Sequence, residues 1–172
     1  MNRHSEVIGR LAKARLDKVI MIEWLDQIGY FTAPSSTKYH DAYEGGNCDH
    51  SLAVCDKLVW LTDKLSLEWD LERSPYVIGL FHDLCKCDAY VRDEISCQWE
   101  HNSEMDLAGH GDKSAMILST VLQLTEEELL CIRYHMGAYE TDDWTGFDRA
   151  IRKYPNVLYT HTADMLASKL EV

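Results

Sequence analysis

Apolar residues recur three or four positions apart along most of this chain, whereas strict alternation of apolar and polar residues is scarce. The first spacing is typical of amphipathic α-helices and the second of β-strands. We therefore predict an all-α fold, a helical bundle. The one exception is residues 89–101, where alternation around Asp93-Glu94 predicts a short β-hairpin.

Capping residues and helix breakers set the predicted boundaries. A first helix is predicted over 5–29, with Ile8, Ala12, Leu16 and Val19 on its buried side. Pro75 suits the first turn of a helix that continues through His82 and Asp83. Further helices are predicted over 47–66, 110–123, 125–136, 144–154 and 155–170. Thr125 and Glu128 form a capping box at the start of the helix over 125–136.

Composition narrows the classes of function. The length of 172 residues predicts a single domain over 1–172. With 17 Lys+Arg against 29 Asp+Glu, the net charge is −12, which disfavours long nucleic acid as a partner. We expect no membrane segment, because no apolar run approaches the roughly 20 residues that a spanning helix needs. The N-terminus lacks the pattern of a signal peptide, so a cytoplasmic location is expected, with the six cysteines as thiols.

Several histidines and aspartates fall on the apolar sides of predicted helices. His50 precedes Val54 and Leu58 at helical spacing, and the dyad His82-Asp83 follows an apolar run. A buried carboxylate needs an ion pair, a proton or a metal cation. Spacing alone leaves two interpretations open, hydrogen-bonded core residues or a metal site at which the helices converge; the residues concerned are His50, His82, Asp83, His110, His135 and Asp164.

The order of these residues resembles the H…HD…H…H…D pattern of the HD-domain superfamily of metal-dependent phosphohydrolases. The flanking segments agree: 43–51 (YEGGNCDHS) resembles YxGGLxxHS, 81–86 (FHDLCK) resembles HDIGK, 109–114 (GHGDKS) resembles GHxxxS, and 162–168 (TADMLAS) resembles ADxLS. Two departures stand out. Cys85 replaces the glycine of HDIGK, and Met136 follows His135 where many relatives have a second histidine, which argues against a third metal.

The resemblance implies a ligand set and roles for individual residues. His50, His82, Asp83 and Asp164 would hold one ion, and Asp83 would bridge to a second held by His110 and His135; a single ion on the first four is the alternative. Such imidazole and carboxylate ligands suit Mn²⁺, Fe²⁺, Co²⁺, Ni²⁺ or Zn²⁺. Asp83 and Lys86 would be the catalytic residues.

Two further residues receive roles from their spacing. Lys86 follows His82 by four positions, so on a continuing helix its side chain would point toward the opening of the same metal site and bind a substrate phosphate. His161 precedes Asp164 by one turn and would either orient that carboxylate or pack in the core. The pair Cys85 and Cys87 is disfavoured as joint ligands, because residues two apart on a helix point in different directions.

The implied reaction is hydrolysis of a phosphoester or phosphoanhydride by a metal-activated water. The acidic chain favours a small phosphorylated substrate, a nucleotide, over a polynucleotide. Related alternatives are a phosphodiesterase or 3′–5′ exonuclease of the same superfamily. A di-iron oxygenase similar to myo-inositol oxygenase shares the ligand order, and a catalytically silent binding domain is a third class. The sequence gives no indication of the oligomeric state.

Overall fold

The computed structural model describes residues 2–16, 18–38, 41–105, 107–137 and 142–170. Over these residues the fold is helical apart from one two-stranded antiparallel sheet, as predicted. The helices are α1 (Arg3–Lys13), α2 (Val19–Gln27), α3 (Gly46–Leu65), α4 (Ser74–Phe81), α5 (Gly111–Ser119), α6 (Glu126–Arg133), α7 (Trp144–Lys153) and α8 (Asn156–Lys169). A 3₁₀ helix, Leu84–Cys87, follows α4, and the strands are β1 (Tyr90–Arg92) and β2 (Trp99–His101).

The first predicted helix is wrong, because the chain forms two helices there. Arg15 has φ 58°, in the left-handed region that ends a helix. The amides of Arg15 and Leu16 then bond the carbonyls of Ala12 and Leu11, which is the Schellman arrangement. The buried side is also displaced by one position: Val7 and Leu11 are buried in α1. In α2 the buried pair is Met21 and Leu25, whereas Ile8 and Val19 are exposed.

The longest helix, α3, lies at the centre and packs against both α4 and α8. Gly79 makes the contact with α4 close, since a Cβ there would lie 2.4 Å from the Cα of Cys55. The hydroxyl of Tyr30 donates to the carbonyl of Leu80 at 2.8 Å, which ties the loop after α2 to α4. The fully buried apolar residues of the core include Leu11, Leu25, Leu58, Ile78, Leu80, Phe81, Leu118 and Ile132.

The later elements follow the prediction with shorter bounds. Thr125 and Glu128 form the predicted capping box at the start of α6. The hairpin is confirmed, with Tyr90 opposite His101. The α-helix expected to run through His82 and Asp83 ends at Phe81, and the chain tightens into the 3₁₀ helix. No helix of the described ranges combines the length and the apolar character needed to cross a bilayer.

Two glycine substitutions test the close contact between α3 and α4. Gly79→Ala should lower the free energy of unfolding by about 3 kcal/mol or more, because the added methyl overlaps the backbone of Cys55 and forces the helices apart. Gly9→Ala is the matched control: it lies exposed within α1 with no heavy atom near the new Cβ. It should raise the stability by up to about 1 kcal/mol. Urea unfolding of both variants measures the difference, and equal effects would contradict this packing.

Candidate metal centre

The structure brings all six predicted ligand residues to one place. His50 lies in α3 and Asp164 in α8, while His82 and Asp83 occupy the junction between α4 and the 3₁₀ helix. His110 immediately precedes α5 and His135 lies just after α6. All but His110 have a relative exposure of 5% or less; the values are His50 3%, His82 0%, Asp83 2%, His135 0% and Asp164 5%.

Three of these residues form one candidate ion site. Nε2 of His50 lies 3.0 Å from Oδ1 of Asp164 and 3.3 Å from Nε2 of His82, and the third edge, His82 Nε2 to Asp164 Oδ1, is 3.9 Å. Ligand atoms about 2.0–2.1 Å from one tetrahedral ion are about 3.4 Å apart. The three donors are therefore spaced so that a single metal ion could be held between them.

Asp83 lies between this group and the remaining ligands. Its Oδ1 is 3.4 Å from Nδ1 of His110 and 3.4 Å from Nε2 of His135. Its Oδ2 is 3.6 Å from Nε2 of His82 and 3.8 Å from Nε2 of His50. One carboxylate thus faces both halves of the cluster, the position that a bridging ligand would occupy.

Backbone carbonyls orient two of the imidazoles. Nδ1 of His82 lies 2.9 Å from the carbonyl oxygen of Gly79, and Nδ1 of His135 lies 2.7 Å from that of Ile132. Because a carbonyl only accepts, each Nδ1 carries a proton, so in the neutral ring each Nε2 presents its lone pair to the cluster. Among the described residues, the buried Nε2 of His135 finds no hydrogen-bond partner. An unprotonated, buried nitrogen of this kind fits a metal ligand.

The charges of His82, Asp83 and Asp164 also suit a cation. Burial lowers the pKa of His82 to about 3, which keeps its ring neutral. Burial by itself would raise the pKa of Asp83, but the ammonium of Lys86 and the other groups that face this carboxylate together hold its pKa well below the usual range. For Asp164, burial likewise opposes ionisation, yet the hydrogen bond with His50, together with smaller contributions from the neighbouring rings, lowers the pKa to about 2. Neutral imidazoles and ionised carboxylates are the forms that bind metals.

Lys86 reaches the cluster although the α-helix does not continue. Its Nζ lies 2.8 Å from Oδ2 of Asp83 and 3.4 Å from the hydroxyl of Ser35, with the side chain almost wholly buried. In this arrangement the positive charge of the ammonium balances the negative charge of the ionised Asp83. For His161, which the sequence left either to orient Asp164 or to pack in the core, the observed contact is a hydrogen bond from Nδ1 to the carbonyl oxygen of His135 at 2.7 Å.

Cys85 is the residue that the sequence interpretation left out of the site. Its Sγ lies 3.1 Å from Nδ1 of His110 and 3.8 Å from Oδ1 of Asp83, so these three form a further candidate ligand group. The signal was available in the shared helical face of Ile78, His82 and Cys85. Cys87 belongs to none of the candidate groups found in the described ranges.

A small cavity of about 120 Å³ gives access to the cluster. Its inner wall includes His50, Asp83 and Asp164, so ligand atoms face the opening. Lys86 and the exposed Lys169 also line it. A negatively charged group entering this cavity would meet two ammonium groups as well as any bound cation.

Comparisons with known proteins identified no relative of this chain. No protein-family model matches the chain, and neither the curated proteins nor the solved structures gave a match. The resemblance therefore rests on the order of the motifs and on the geometry of the residues that carry them.

Divalent ions should stabilise the protein if the cluster binds them. An ion at 100 times its Kd adds about 2.7 kcal/mol to the free energy of unfolding. The melting temperature in Mn²⁺, Co²⁺ or Zn²⁺ should therefore exceed that in a chelator. Asp164→Asn should reduce this shift, because it weakens one ligand of the His50–His82 group.

Asp148→Asn is the matched control for this experiment. Asp148 is an exposed carboxylate on α7 that pairs with Arg152 and belongs to none of the candidate ligand groups of the described residues. Its replacement should leave the metal-dependent shift intact. Equal melting temperatures of the wild-type protein with ions and with chelator would contradict a metal centre.

Proposed function

We propose that the protein is a metal-dependent phosphohydrolase that cleaves a phosphoester or phosphoanhydride of a small nucleotide-type substrate. The observation that carries this proposal is the convergence of His50, His82-Asp83, His110, His135 and Asp164 into one cluster of overlapping candidate ligand groups. That is the residue order in which the chain resembles the HD-domain superfamily. Buried core histidines without a common centre would not require this convergence.

The chemistry of the donors supports hydrolysis. One or two divalent ions held by such imidazole and carboxylate ligands would supply an activated water and stabilise negative charge on a phosphoryl group. The protein's part is to fix the ligands: the carbonyls of Gly79 and Ile132 orient two rings, and Lys86 keeps Asp83 ionised. Preorganised ligands of this kind cost no rearrangement during the reaction.

The cavity supports an anionic substrate with a small reacting group. Its 120 Å³ leaves room for a phosphoryl-sized group beside the ligands, so a sugar and base would lie at the mouth. Lys169 stands at that mouth and could pair with a further phosphate. The surface as a whole carries a net charge of −12, so attraction of the substrate has to come from these local cations.

Asp83→Asn tests the central carboxylate. We expect the rate of phosphate release from a panel of nucleotides to fall at least about 100-fold, because even residues that only support metal ligands cost 10–100-fold when replaced. The isosteric amide keeps the volume of the side chain and removes its charge. Assays run with each metal in turn, and with chelator, measure the dependence on the ion.

Glu127→Gln provides the control, since Glu127 is also a buried carboxylate but bonds the amide of Asp70 and the side chain of Asn156. It should retain phosphate release. Full turnover by Asp83→Asn would contradict the proposed role of Asp83. Oxygen consumption by an iron-loaded, anaerobically prepared sample, without phosphate release from the nucleotide panel, would favour the oxygenase alternative instead.

A further inference from the structure

We propose that Cys85 is a direct metal ligand and that Asp83, Cys85 and His110 form a sulfur-containing ion position beside the His50–His82–Asp164 group. The ion expected there is a thiophilic divalent cation such as Zn²⁺, Co²⁺ or Fe²⁺. This inference deepens the proposed function and rests on it for the presence of an ion at Asp83. It adds a ligand that the resemblance does not supply, since Cys85 stands where HDIGK has glycine.

The geometry of the three donors matches one coordination sphere. The edges of the triangle are 3.1 Å from Sγ to Nδ1 of His110, 3.4 Å from that Nδ1 to Oδ1 of Asp83, and 3.8 Å from Sγ to the same Oδ1. Bonds of about 2.3 Å to sulfur and about 2.0–2.1 Å to nitrogen and oxygen give tetrahedral edges of about 3.4–3.6 Å. Small adjustments of the side chains would therefore suffice to enclose an ion.

A second observation points to a ligand at the same place. Nε2 of His135 is fully buried, lies 3.4 Å from the same Oδ1 of Asp83, and finds no hydrogen-bond partner within the described residues. The hydrogen bond of its Nδ1 to the carbonyl of Ile132 leaves the Nε2 lone pair free to bind a cation. Burial of a polar atom in this state is costly unless something binds it.

The position of Cys85 is fixed by the fold. Its amide donates to the hydroxyl of Ser114, which is fully buried in α5, at 3.0 Å. This bond holds the 3₁₀ helix against α5, the helix that His110 immediately precedes. The thiol and the imidazole are thus brought together by the backbone packing and do not depend on a flexible loop.

Coordination by Cys85 would make the two ion positions chemically different. The first offers nitrogen and oxygen donors only, whereas the second adds sulfur, which favours Zn²⁺, Co²⁺ or Fe²⁺ over Mg²⁺ and Mn²⁺. On binding, the thiol proton passes to solvent as the sulfur–metal bond forms, and no oxidation state changes. A simple thiol–imidazole hydrogen bond between Cys85 and His110 is the alternative that the experiment has to exclude.

Cobalt titration of the metal-free full-length protein tests this assignment without any substrate. A thiolate ligand gives Co²⁺ a sulfur-to-metal charge-transfer absorption in the near ultraviolet, which nitrogen and oxygen ligands do not give. The wild-type protein should develop this absorption. Cys85→Ser should lose it while keeping the visible bands of Co²⁺ at the first position. The control Cys87→Ser, two residues away on the same 3₁₀ helix, should keep it.

X-ray absorption of the Zn²⁺-loaded wild-type protein gives a readout that does not depend on any variant folding. One sulfur scatterer at about 2.3 Å is expected. A wild-type protein without charge-transfer absorption and without a sulfur scatterer would overturn the inference, as would an absorption that survives in Cys85→Ser. Sulfur ligation without phosphate release would support Cys85 as a ligand and contradict the proposed hydrolase function. Phosphate release with nitrogen and oxygen scatterers alone would support the hydrolase and contradict Cys85 as a ligand.

Discussion

The burial of one carboxylate governs how the centre of this molecule is built. Asp83 is 2% exposed, and an ionised carboxylate so far from water costs several kcal/mol unless cations and hydrogen-bond donors surround it. Lys86 supplies the nearest charge, and four imidazoles approach within 3.8 Å of its oxygens. Its carbonyl also accepts a hydrogen bond from the side chain of Asn47 in α3. Because Nδ1 of His82 and of His135 donates to a backbone carbonyl, Nε2 of each neutral ring meets the carboxylate without a proton. These two rings therefore suit Asp83 as fellow ligands of a cation and not as hydrogen-bond donors.

Helical periodicity was enough to place His50 and the dyad His82-Asp83 on the buried sides of their helices. His50 lies in register with Val54 and Leu58, and all three are buried in α3 as the spacing predicts. The dyad at the end of α4 follows from its apolar surroundings in the same way. Periodicity describes one helix at a time, however, so it could not say that the buried faces share a point. That step came from the resemblance, and the contacts bring the six residues into one cluster.

The failures of the sequence interpretation have local causes. The end of α1 uses Arg15 in a left-handed conformation, a position that usually signals itself with glycine, so the pattern ran on through 5–29 as one helix. Cys85 was weighed only as a joint ligand with Cys87, although helical spacing places it on one face with Ile78 and His82. The left-handed residue that ends α1 leaves no mark in hydrophobic spacing, whereas the position of Cys85 does.

Gly79, which has no side chain, links helix packing to the orientation of a candidate ligand. The same residue lets α4 approach the backbone of Cys55 and offers the carbonyl that fixes the ring of His82. Any mutation that loosens the crossing of α3 and α4 would therefore tilt an imidazole several bonds away while leaving every donor atom chemically intact. The orientation of the imidazole therefore depends on the apolar contact between α3 and α4 as much as on the polar residues beside it.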